Sequence, residues 1–183
     1  ENTTVIYYYE YNKKDVTVTN VWDDNNNIAA KRPGSIIVEL YQNGNLKENY
    51  NVTNTSTNTQ SYTFKDLDKY DLDGNEYNYT VNVKEANEGD LKFYTKTVDD
   101  TTNTVTNKFT VPDEKINITA TNKWDDNNNS ALKRPSSVII ELYANGVLKN
   151  SHTLTDTTSD TQSYTFENLL KYDNLGNEIV YTI

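Results

Sequence analysis

The sequence predicts an all-β chain of tandem β-sandwiches, each with about seven strands. Two observations carry this prediction. Several segments alternate between apolar and polar residues, as strands with one buried face do, and a block of about a hundred residues recurs along the chain. Asn, Asp and Gly residues, which favour turns, separate the alternating segments. A repeat of this length matches one sandwich that folds by itself.

The repeat is anchored by two tryptophans, Trp22 and Trp124, which stand about 102 positions apart in matching contexts. Four segments return at that spacing: VTVTNVWDDNNN as ITATNKWDDNNN, KRPGSIIVELYQNG as KRPSSVIIELYANG, TQSYTF unchanged, and KYDLDGNEYNYTV as KYDNLGNEIVYTI. The two copies align without a gap. A period this long is too long for a solenoid and indicates separate domains.

The spacing divides the chain into four stretches. We expect residues 1–15 to be the last strand of a preceding repeat plus a linker, and residues 16–110 to be a complete repeat. Residues 111–117 are expected to be a second linker, and residues 118–183 a second repeat that is truncated before its last strands. Pro112 favours a stiff connection between the two repeats.

The strands of the first repeat are predicted in order. Alternate residues from Val16 to Trp22 share one face, which predicts a strand with one buried side. Ile36–Gln42 is rich in β-branched residues, and the Asn43-Gly44 pair after it predicts a tight hairpin. Further strands are predicted at Leu46–Val52, Ser61–Phe64, Tyr77–Val83, Leu91–Thr97 and Thr104–Phe109. No segment predicts a helix.

Composition and charge exclude several classes of function. The net charge of -10 disfavours nucleic acid and membrane surfaces as partners, because an acidic surface repels phosphates. The chain has no cysteine and a single histidine, His152, whose counterpart in the first repeat is Tyr50. Without a catalytic triad, a phosphate-binding glycine loop or a histidine cluster, the sequence predicts no enzyme and no metal cofactor of the zinc type.

In order and spacing, these segments resemble the B-type repeat of collagen-binding surface adhesins, the Cna B-type domain. The resemblance rests on a strand ending in Trp-Asp-Asp, then Lys-Arg-Pro, then I-x-V-x-L-Y-x-N-G, and then S-Y-T-F-x-x-L-x-K-Y-D-x-x-G-N-E-x-x-Y-T-V. It covers Val16 to about Asn107, and Ile118 to Ile183. It implies an immunoglobulin-like sandwich that serves as a stalk module of a wall-anchored adhesin.

The resemblance also implies positions for a covalent cross-link. Many domains of that family form a Lys–Asn isopeptide bond promoted by a buried glutamate. The position of the lysine is held here by Asn20 and Asn122, that of the acid by Val83, and that of the asparagine by Asn107. With the nucleophile and the acid both replaced, we expect no such bond. Asn20 and Asn107 are expected to hydrogen-bond across adjacent strands instead.

Two acidic loops are candidate calcium sites, because calcium binds several oxygens at once. The first is the Trp-Asp-Asp loop, with ligand candidates Asp23, Asp24, Asn25, Asp125, Asp126 and Asn127. The second is the loop Asp71–Glu76, whose copy has Leu175 in place of Asp73. Both loops also fit turns in which Asn and Asp side chains bond to the backbone. The nearby Lys31-Arg32-Pro33 segment is expected to offset the charge of the first loop.

The sequence therefore predicts a structural stalk or spacer repeat of a microbial cell-surface adhesin, located outside the cell at the surface or wall. The alternative is a ligand-binding module that contacts a host protein or glycan through its loops, with Tyr7, Tyr8, Tyr9 and Tyr11 as candidates for stacking on a sugar. The expected partners are neighbouring repeats. A further expectation is head-to-tail strand exchange, in which Thr3–Tyr9 pairs with the truncated repeat of a second molecule.

Overall fold

The computed structural model describes residues 3–6 and 12–183. The chain divides into two compact units, Glu1–Thr110 and Val111–Ile183. Every regular element in the described ranges is a β-strand, and these ranges contain no α-helix. The predicted all-β class is therefore confirmed. Nor does the described part of the chain contain a helix long and apolar enough to cross a membrane.

Unit 1 is a sandwich of two sheets. Its seven strands are β1 (Lys13–Asp23), β2 (Ile36–Gln42), β3 (Asn45–Val52), β4 (Thr59–Asp68), β5 (Tyr79–Glu85), β6 (Tyr94–Asp99) and β7 (Thr104–Phe109). One sheet has the order β4-β1-β7-β6 and the other the order β3-β2-β5. All neighbours are antiparallel except β1 and β7, which run parallel. The prediction of about seven strands holds for this unit.

The core of unit 1 lies between the two sheets. The alternate residues of β1 from Val16 to Trp22 are all buried, as their period of two predicts. The facing sheet contributes the inward residues of β2 and β5. The buried apolar cluster consists of Val16, Val18, Trp22, Ile36, Val38, Leu40, Phe64, Leu67, Tyr79, Val81, Val83 and Val105. Asn20 and Asn107 are polar exceptions within this layer.

The β2–β3 hairpin turns at Asn43 and Gly44, where φ is 49° and 81°. Both values lie in the left-handed region that a two-residue hairpin turn requires, as the sequence predicts. Asn43 also fixes the start of β5: its N–H donates to the Asn78 carbonyl at 2.8 Å, and its Oδ1 accepts from the Asn78 N–H at 2.9 Å. In unit 2 Asn145 makes the same two contacts with Val180.

Unit 2 repeats the first five strands. They are β8 (Lys115–Lys123), β9 (Val138–Ala144), β10 (Val147–Leu154), β11 (Thr161–Leu170) and β12 (Tyr181–Thr182). The sheets have the orders β11-β8 and β10-β9-β12. Its core consists of Ala120, Ile140, Leu142, Leu154, Phe166 and Leu169. Within the described residues of this unit, no strand corresponds to β6 or β7.

The fourth strand is longer than the sequence predicts. It runs over Thr59–Asp68 rather than Ser61–Phe64, because it pairs with β1 along almost its full length. A β-bulge near Lys14 accommodates Asp66, whose φ is 55°, and the Asp66 N–H donates to Asp15 Oδ1 at 3.0 Å. Cross-strand pairing thus carries the strand past the point where its alternation weakens.

Two other strands begin later than predicted. β5 starts at Tyr79 and not at Tyr77, because the Tyr77 N–H donates to the Lys69 carbonyl at 2.9 Å and not to β2. β6 starts at Tyr94, because the Tyr94 N–H closes a turn on the Leu91 carbonyl at 2.9 Å. In both places a hydrogen bond within the preceding loop delays the start of the strand, although the apolar pattern begins earlier.

The first strand of each unit begins before the predicted domain boundary. β1 starts at Lys13, inside the stretch 1–15, and β8 starts at Lys115, inside the stretch 111–117. Cross-strand pairing explains both extensions, because Lys13 lies opposite Asp68 and Lys115 opposite Leu170.

The N-terminal segment shows no strand where it is described. Residues 3–6 are exposed and form no regular element. Tyr7, Tyr8, Tyr9 and Tyr11 lie outside the described residues, and so does most of the predicted strand Thr3–Tyr9.

Candidate functional site

The asparagine pair lies at the centre of unit 1, where the resemblance places the cross-link. Asn20 on β1 and Asn107 on β7 are both 0% exposed. Asn107 Nδ2 donates to Asn20 Oδ1 at 2.6 Å. The predicted hydrogen bond across adjacent strands is therefore present. A buried amide without a partner would be costly, so each asparagine stabilises the burial of the other.

Gln60 on β4 extends the pair into a network that the sequence analysis missed. Its Oε1 accepts hydrogen bonds from Asn20 Nδ2 at 2.8 Å and from Trp22 Nε1 at 2.9 Å. Its Nε2 donates to the Thr57 carbonyl at 2.6 Å. The signal was available, because the motif TQSYTF puts a glutamine at the same position of both repeats. The network joins β7, β1 and β4 through buried side chains.

Val83, at the position of the acid, is 0% exposed and packs in the core. A valine can neither polarise an amide nor transfer a proton. Among the described residues, Asn107 Oδ1 is the buried side-chain atom that has no hydrogen-bond partner. With an amide in place of the amine, the site has no nucleophile to form a cross-link.

Half of this network recurs in unit 2. Asn122 Nδ2 donates to Gln162 Oε1 at 2.9 Å, and Trp124 Nε1 donates to the same oxygen at 3.2 Å. Asn122 is part-buried, whereas Asn20 is fully buried. The difference arises because β7 covers Asn20 in unit 1.

A buried ion pair between Asp24 and Arg32 holds the Trp-Asp-Asp loop. Arg32 thus offsets the charge of this loop, as the sequence predicts. Arg32 Nε donates to Asp24 Oδ2 at 2.6 Å, and Nη2 donates to Oδ1 at 2.5 Å. Asp24 Oδ1 also accepts the Asn27 N–H, and Oδ2 accepts the Tyr94 hydroxyl at 3.1 Å. Burial alone would raise the pKa of Asp24, but these hydrogen bonds outweigh it and hold the pKa below its usual value.

Arg32 also ties a second loop to the first. Its Nη1 donates to the Thr57 carbonyl at 2.9 Å, and its Nη2 donates to Asn58 Oδ1 at 2.5 Å. The guanidinium lies 5.7 Å from the Trp22 ring, a cation–π distance. Five donors in a rigid fork make arginine suited to this role, which lysine could not fill.

The same pair in unit 2 is more open to solvent. Arg134 Nε donates to Asp126 Oδ2 at 2.8 Å and Nη2 to Oδ1 at 2.6 Å, while Asp160 accepts a further contact. The Asp126 side chain is 32% exposed, against 1% for Asp24, which Tyr94 helps to cover. Hydrogen bonds from Arg134 lower the pKa of Asp126 to about 2.

The arginine contacts make the Trp-Asp-Asp loops poor calcium sites. Both oxygens of Asp24 and of Asp126 already accept from an arginine, and a cation there would have to displace it. Asp23 and Asp125 do not join these clusters, and Asn25 and Asn127 adopt positive φ as turn residues do. The described residues contain no group of three or more acidic or histidine side chains arranged for a metal. We therefore expect the arginines, and not calcium, to bind these carboxylates.

The second candidate calcium loop is closed by its own side chains. Asp71 Oδ1 accepts the N–H groups of Asp73 and Asn75 at 2.9 and 2.8 Å, and Asn75 Nδ2 donates to Asp71 Oδ2 at 3.0 Å. Asp173 makes the same contacts in unit 2, although Leu175 replaces Asp73. The arrangement is that of an Asx turn.

Glu39 is a buried acid that the sequence analysis missed. It lies on the outer face of β2 yet is only 3% exposed. Its Oε1 pairs with Lys84 Nζ at 2.8 Å, and its Oε2 accepts from Asn82 Nδ2 at 2.9 Å. Burial would raise the pKa of Glu39, but Lys84, Asn82 and Tyr41 outweigh it and lower that pKa. Glu39 is thus an ionised acid and not a proton donor for the core.

Asn82 connects Glu39 to the edge of the other sheet. Lys96 Nζ on β6 donates to Asn82 Oδ1 at 2.6 Å and to the Val83 carbonyl at 2.9 Å. The contact bridges β6 and β5, which are the adjacent edge strands of the two sheets. Lys96 is exposed, and Glu39 is already paired with Lys84. The Lys96 ammonium therefore acts as a hydrogen-bond donor that links the two edge strands, and we call this contact the Lys96 clasp.

The opposite edge of each sandwich is closed by aromatic stacking. In unit 1 the rings of Tyr50 and Tyr62 stack at 3.9 Å. In unit 2 His152 takes the place of Tyr50 and stacks on Tyr164 at 3.5 Å. His152 is therefore a strand residue with a packing role.

The repeat motifs also identify the family. A family model of the Cna protein B-type domain matches residues 16–108 and 118–183. The chain belongs to the Cna B-type domain family. The expected class of tandem immunoglobulin-like sandwiches is confirmed for this Cna B-type chain. A curated relative, the collagen adhesin of Staphylococcus aureus, is 40% identical over 185 residues, which are 99% of this chain and 15% of that protein. The Cna B-type chain thus spans a small part of that relative.

Two crystal structures from Staphylococcus aureus are also similar. A single B repeat unit of its collagen-binding surface protein is 33% identical, with a TM-score of 0.46 over 93% of this chain and 84% of that one. A structure of two B repeat units is 33% identical, with a TM-score of 0.47 over 96% of this chain and 43% of that one. Both structures are B repeat units of a collagen-binding surface protein.

Proposed function

We propose that this Cna B-type chain is a spacer repeat in the stalk of a microbial cell-surface adhesin, located at the cell surface or wall. The observation that carries the proposal is the sameness of the two units. The Arg–Asp pair, the Asn–Gln–Trp network and the edge stack recur at matching positions. A binding head is expected to carry a loop that occurs in one copy alone. Here the Trp-Asp-Asp loops recur in both units, and their side chains make contacts within their own unit.

The connection between the units supports a spacer. β7 ends at Phe109 and β8 begins at Lys115, so few residues join the two units. Pro112 in this connection has a fixed φ, which limits the conformations available to it. Other regions of the full protein are expected to bind the host protein or glycan.

Reach at the cell surface tests the spacer role. The chain is placed between a binding domain and a wall anchor, in one, two or three copies, and the height of the binding domain is measured by super-resolution microscopy. We expect the height to rise in equal steps with copy number. The matched control is a Gly/Ser linker with the same number of residues, whose reach grows with the square root of length. Saturable binding of collagen or a glycan by the chain alone would instead favour the ligand-binding alternative.

For partners, we propose that a second copy adds a strand to β8. In unit 1, β1 has β4 on one side and β7 in parallel on the other. The matching edge of β8 carries no strand in the described residues of unit 2, and a groove of about 330 Å³ lies there, lined by residues that include Ala120, Asn122, Ile140 and Ile183. The N-terminal segment, which aligns with β7, is the expected occupant.

Light scattering over a range of concentrations tests the strand exchange. We expect dimers or chains that disappear when residues 1–11 are deleted. If the chain of residues 1–183 stays monomeric at high concentration, the strand exchange is wrong, and the spacer role is unaffected.

A further inference from the structure

The first and last strands of unit 1 are direct neighbours. β1 and β7 pair in parallel from Thr19 opposite Thr104 to Asp23 opposite Lys108. The Thr19 N–H also donates to the Asn103 carbonyl at 3.0 Å. Every other neighbour in this unit is antiparallel. The strand by which the chain enters the unit therefore lies against the strand by which it leaves.

This arrangement decides how tension acts on the unit. In a parallel pair, the start of one strand and the end of the other lie at opposite ends of the ladder. A pull on the two chain ends therefore slides β1 and β7 past each other along their axes. Sliding strains all the ladder hydrogen bonds together, whereas an antiparallel hairpin pulled at its two ends opens one bond at a time.

We propose that the β1–β7 pair is the element of the repeat that resists tension, and that the buried Asn20–Asn107 hydrogen bond locks its two strands together. The proposal rests on the spacer role, because tension reaches the unit only through a chain that is held at both ends. It adds to that role the strand pair that resists extension and the bond that must break first.

The position of the asparagine pair suits a lock. The 2.6 Å bond joins the two sliding strands, and both side chains are 0% exposed. Water cannot replace the bond while the core is closed, so the bond must break before β7 can slide. Gln60 on β4 holds Asn20 Nδ2 at 2.8 Å, and this contact keeps β1 in place on its other side.

The far side of β7 is also held. β6 pairs with β7 from Tyr94 opposite Phe109 to Asp99 opposite Thr104. Lys96 on β6 is bonded to Asn82 and to the Val83 carbonyl in the other sheet. The β6–β7 hairpin therefore cannot leave as one piece until the Lys96 clasp opens.

Single-molecule force spectroscopy tests whether the β1–β7 pair resists tension. The full chain is held between two marker domains and extended at constant force. We expect Asn107→Ala to raise the unfolding rate of unit 1 about tenfold. This is the effect of losing one buried hydrogen bond that is broken in the transition state for unfolding. Asn107→Ser is the milder second variant if Asn107→Ala folds poorly.

The matched control is Val38→Ala, which removes buried core volume from β2, the middle strand of the other sheet. Urea unfolding measures the equilibrium loss of each variant. We expect Val38→Ala to lower equilibrium stability while leaving the unfolding rate under force within about twofold of the parent. Equal acceleration by both variants, or none by Asn107→Ala, would overturn the proposal. Neither result would affect the spacer role, which the measurement of height tests separately.

Discussion

The Tyr94 hydroxyl donates a hydrogen bond to Asp24 Oδ2 at 3.1 Å, and this contact joins β6 to the loop that follows β1. The Tyr94 ring also packs edge-on against Trp22 at 4.9 Å between centroids. Burial and the nearby Asp24 carboxylate raise the pKa of Tyr94, so the hydroxyl stays a donor at all ordinary pH values. One tyrosine thus seals the ion pair of unit 1 from solvent.

Removal of that hydroxyl is expected to destabilise unit 1. Tyr94→Phe keeps the ring contact with Trp22 but leaves Asp24 short of one donor. We expect a loss of about 1–2 kcal/mol in the free energy of unfolding, measured by urea denaturation. Tyr143→Phe is the control, because the Tyr143 hydroxyl bonds to Glu141 at an exposed site. Equal losses in the two variants would contradict the role given to Tyr94.

Acid is expected to weaken the Arg–Asp pairs. The pKa of Asp126 is about 2 in the folded state, against an ordinary value of 3.8, so the ionised carboxylate stabilises the fold. That stabilisation is fully present above about pH 4 and is lost as the pH falls towards 2. Asp126→Asn should flatten this part of the stability profile of unit 2, measured by tryptophan fluorescence. A variant with the same acid-dependent loss of stability as the parent would contradict the role given to Asp126.

The intact mass of the denatured protein tests the absence of a cross-link. We expect the unmodified mass, because Asn20 and Val83 stand where an amine and an acid are needed. A mass lower by one ammonia would contradict this and would identify a bond through other residues.

A double substitution tests the same reasoning in reverse. Asn20→Lys with Val83→Glu supplies the missing nucleophile and acid beside Asn107, whose Oδ1 has no partner. We expect the double variant to lose one ammonia, and each single variant to keep its full mass. A double variant with full mass would show that the backbone spacing does not suit the reaction.

The Lys96 clasp is expected to stabilise the edge of the sandwich modestly. Lys96→Met keeps the aliphatic stem but removes the ammonium that bonds to Asn82 and to the Val83 carbonyl. We expect a loss of about 0.5–1.5 kcal/mol and faster amide hydrogen exchange in β6. Lys47→Met, which removes an exposed lysine that contacts Gln42 at 3.4 Å, is the control and should change neither. Unchanged exchange in β6 would rule out the clasp.

Calcium is expected to have no effect on thermal unfolding. Arg32 and Arg134 already occupy the carboxylates of the two Trp-Asp-Asp loops, and a divalent cation would meet an adjacent positive charge. Differential scanning calorimetry with calcium or with a chelator should therefore give the same Tm. A Tm that rises with calcium would contradict this and would place the ion at a site that the arginines leave open.

The sequence could predict contacts that lie within a repeated motif. The strand from Val16 to Trp22 followed from a period of two, and the Asn20–Asn107 bond followed from positions that the family resemblance supplies. The offset of Asp24 by Arg32 followed from charge and proximity along the chain. A local pattern was enough for the strand and for the Arg32–Asp24 pair, whereas the Asn20–Asn107 bond required the family resemblance.

Other contacts depend on distant strands and could not be found in this way. The period of β2 places Glu39 outward, and its burial comes from Asn82 and Lys84 on β5. Tyr94 meets Asp24 only because β6 and β1 share a sheet. The length of β4 depends on β1, since pairing with a long neighbour extends a strand whose own alternation is weak.

The Arg–Asp pair, the Asn–Gln–Trp network and the edge stack each draw all their matching members from the first five strands of a single unit and the loops that join them. A genetic crossover between the two copies, made at equivalent codons, would join halves whose partners still correspond. Even at the edge stack, where one copy has Tyr50 and the other His152, either ring finds the same tyrosine opposite. Gene segments of this kind can be duplicated or deleted in register with these contacts preserved, so the length of the array can change while the contacts inside each unit are kept.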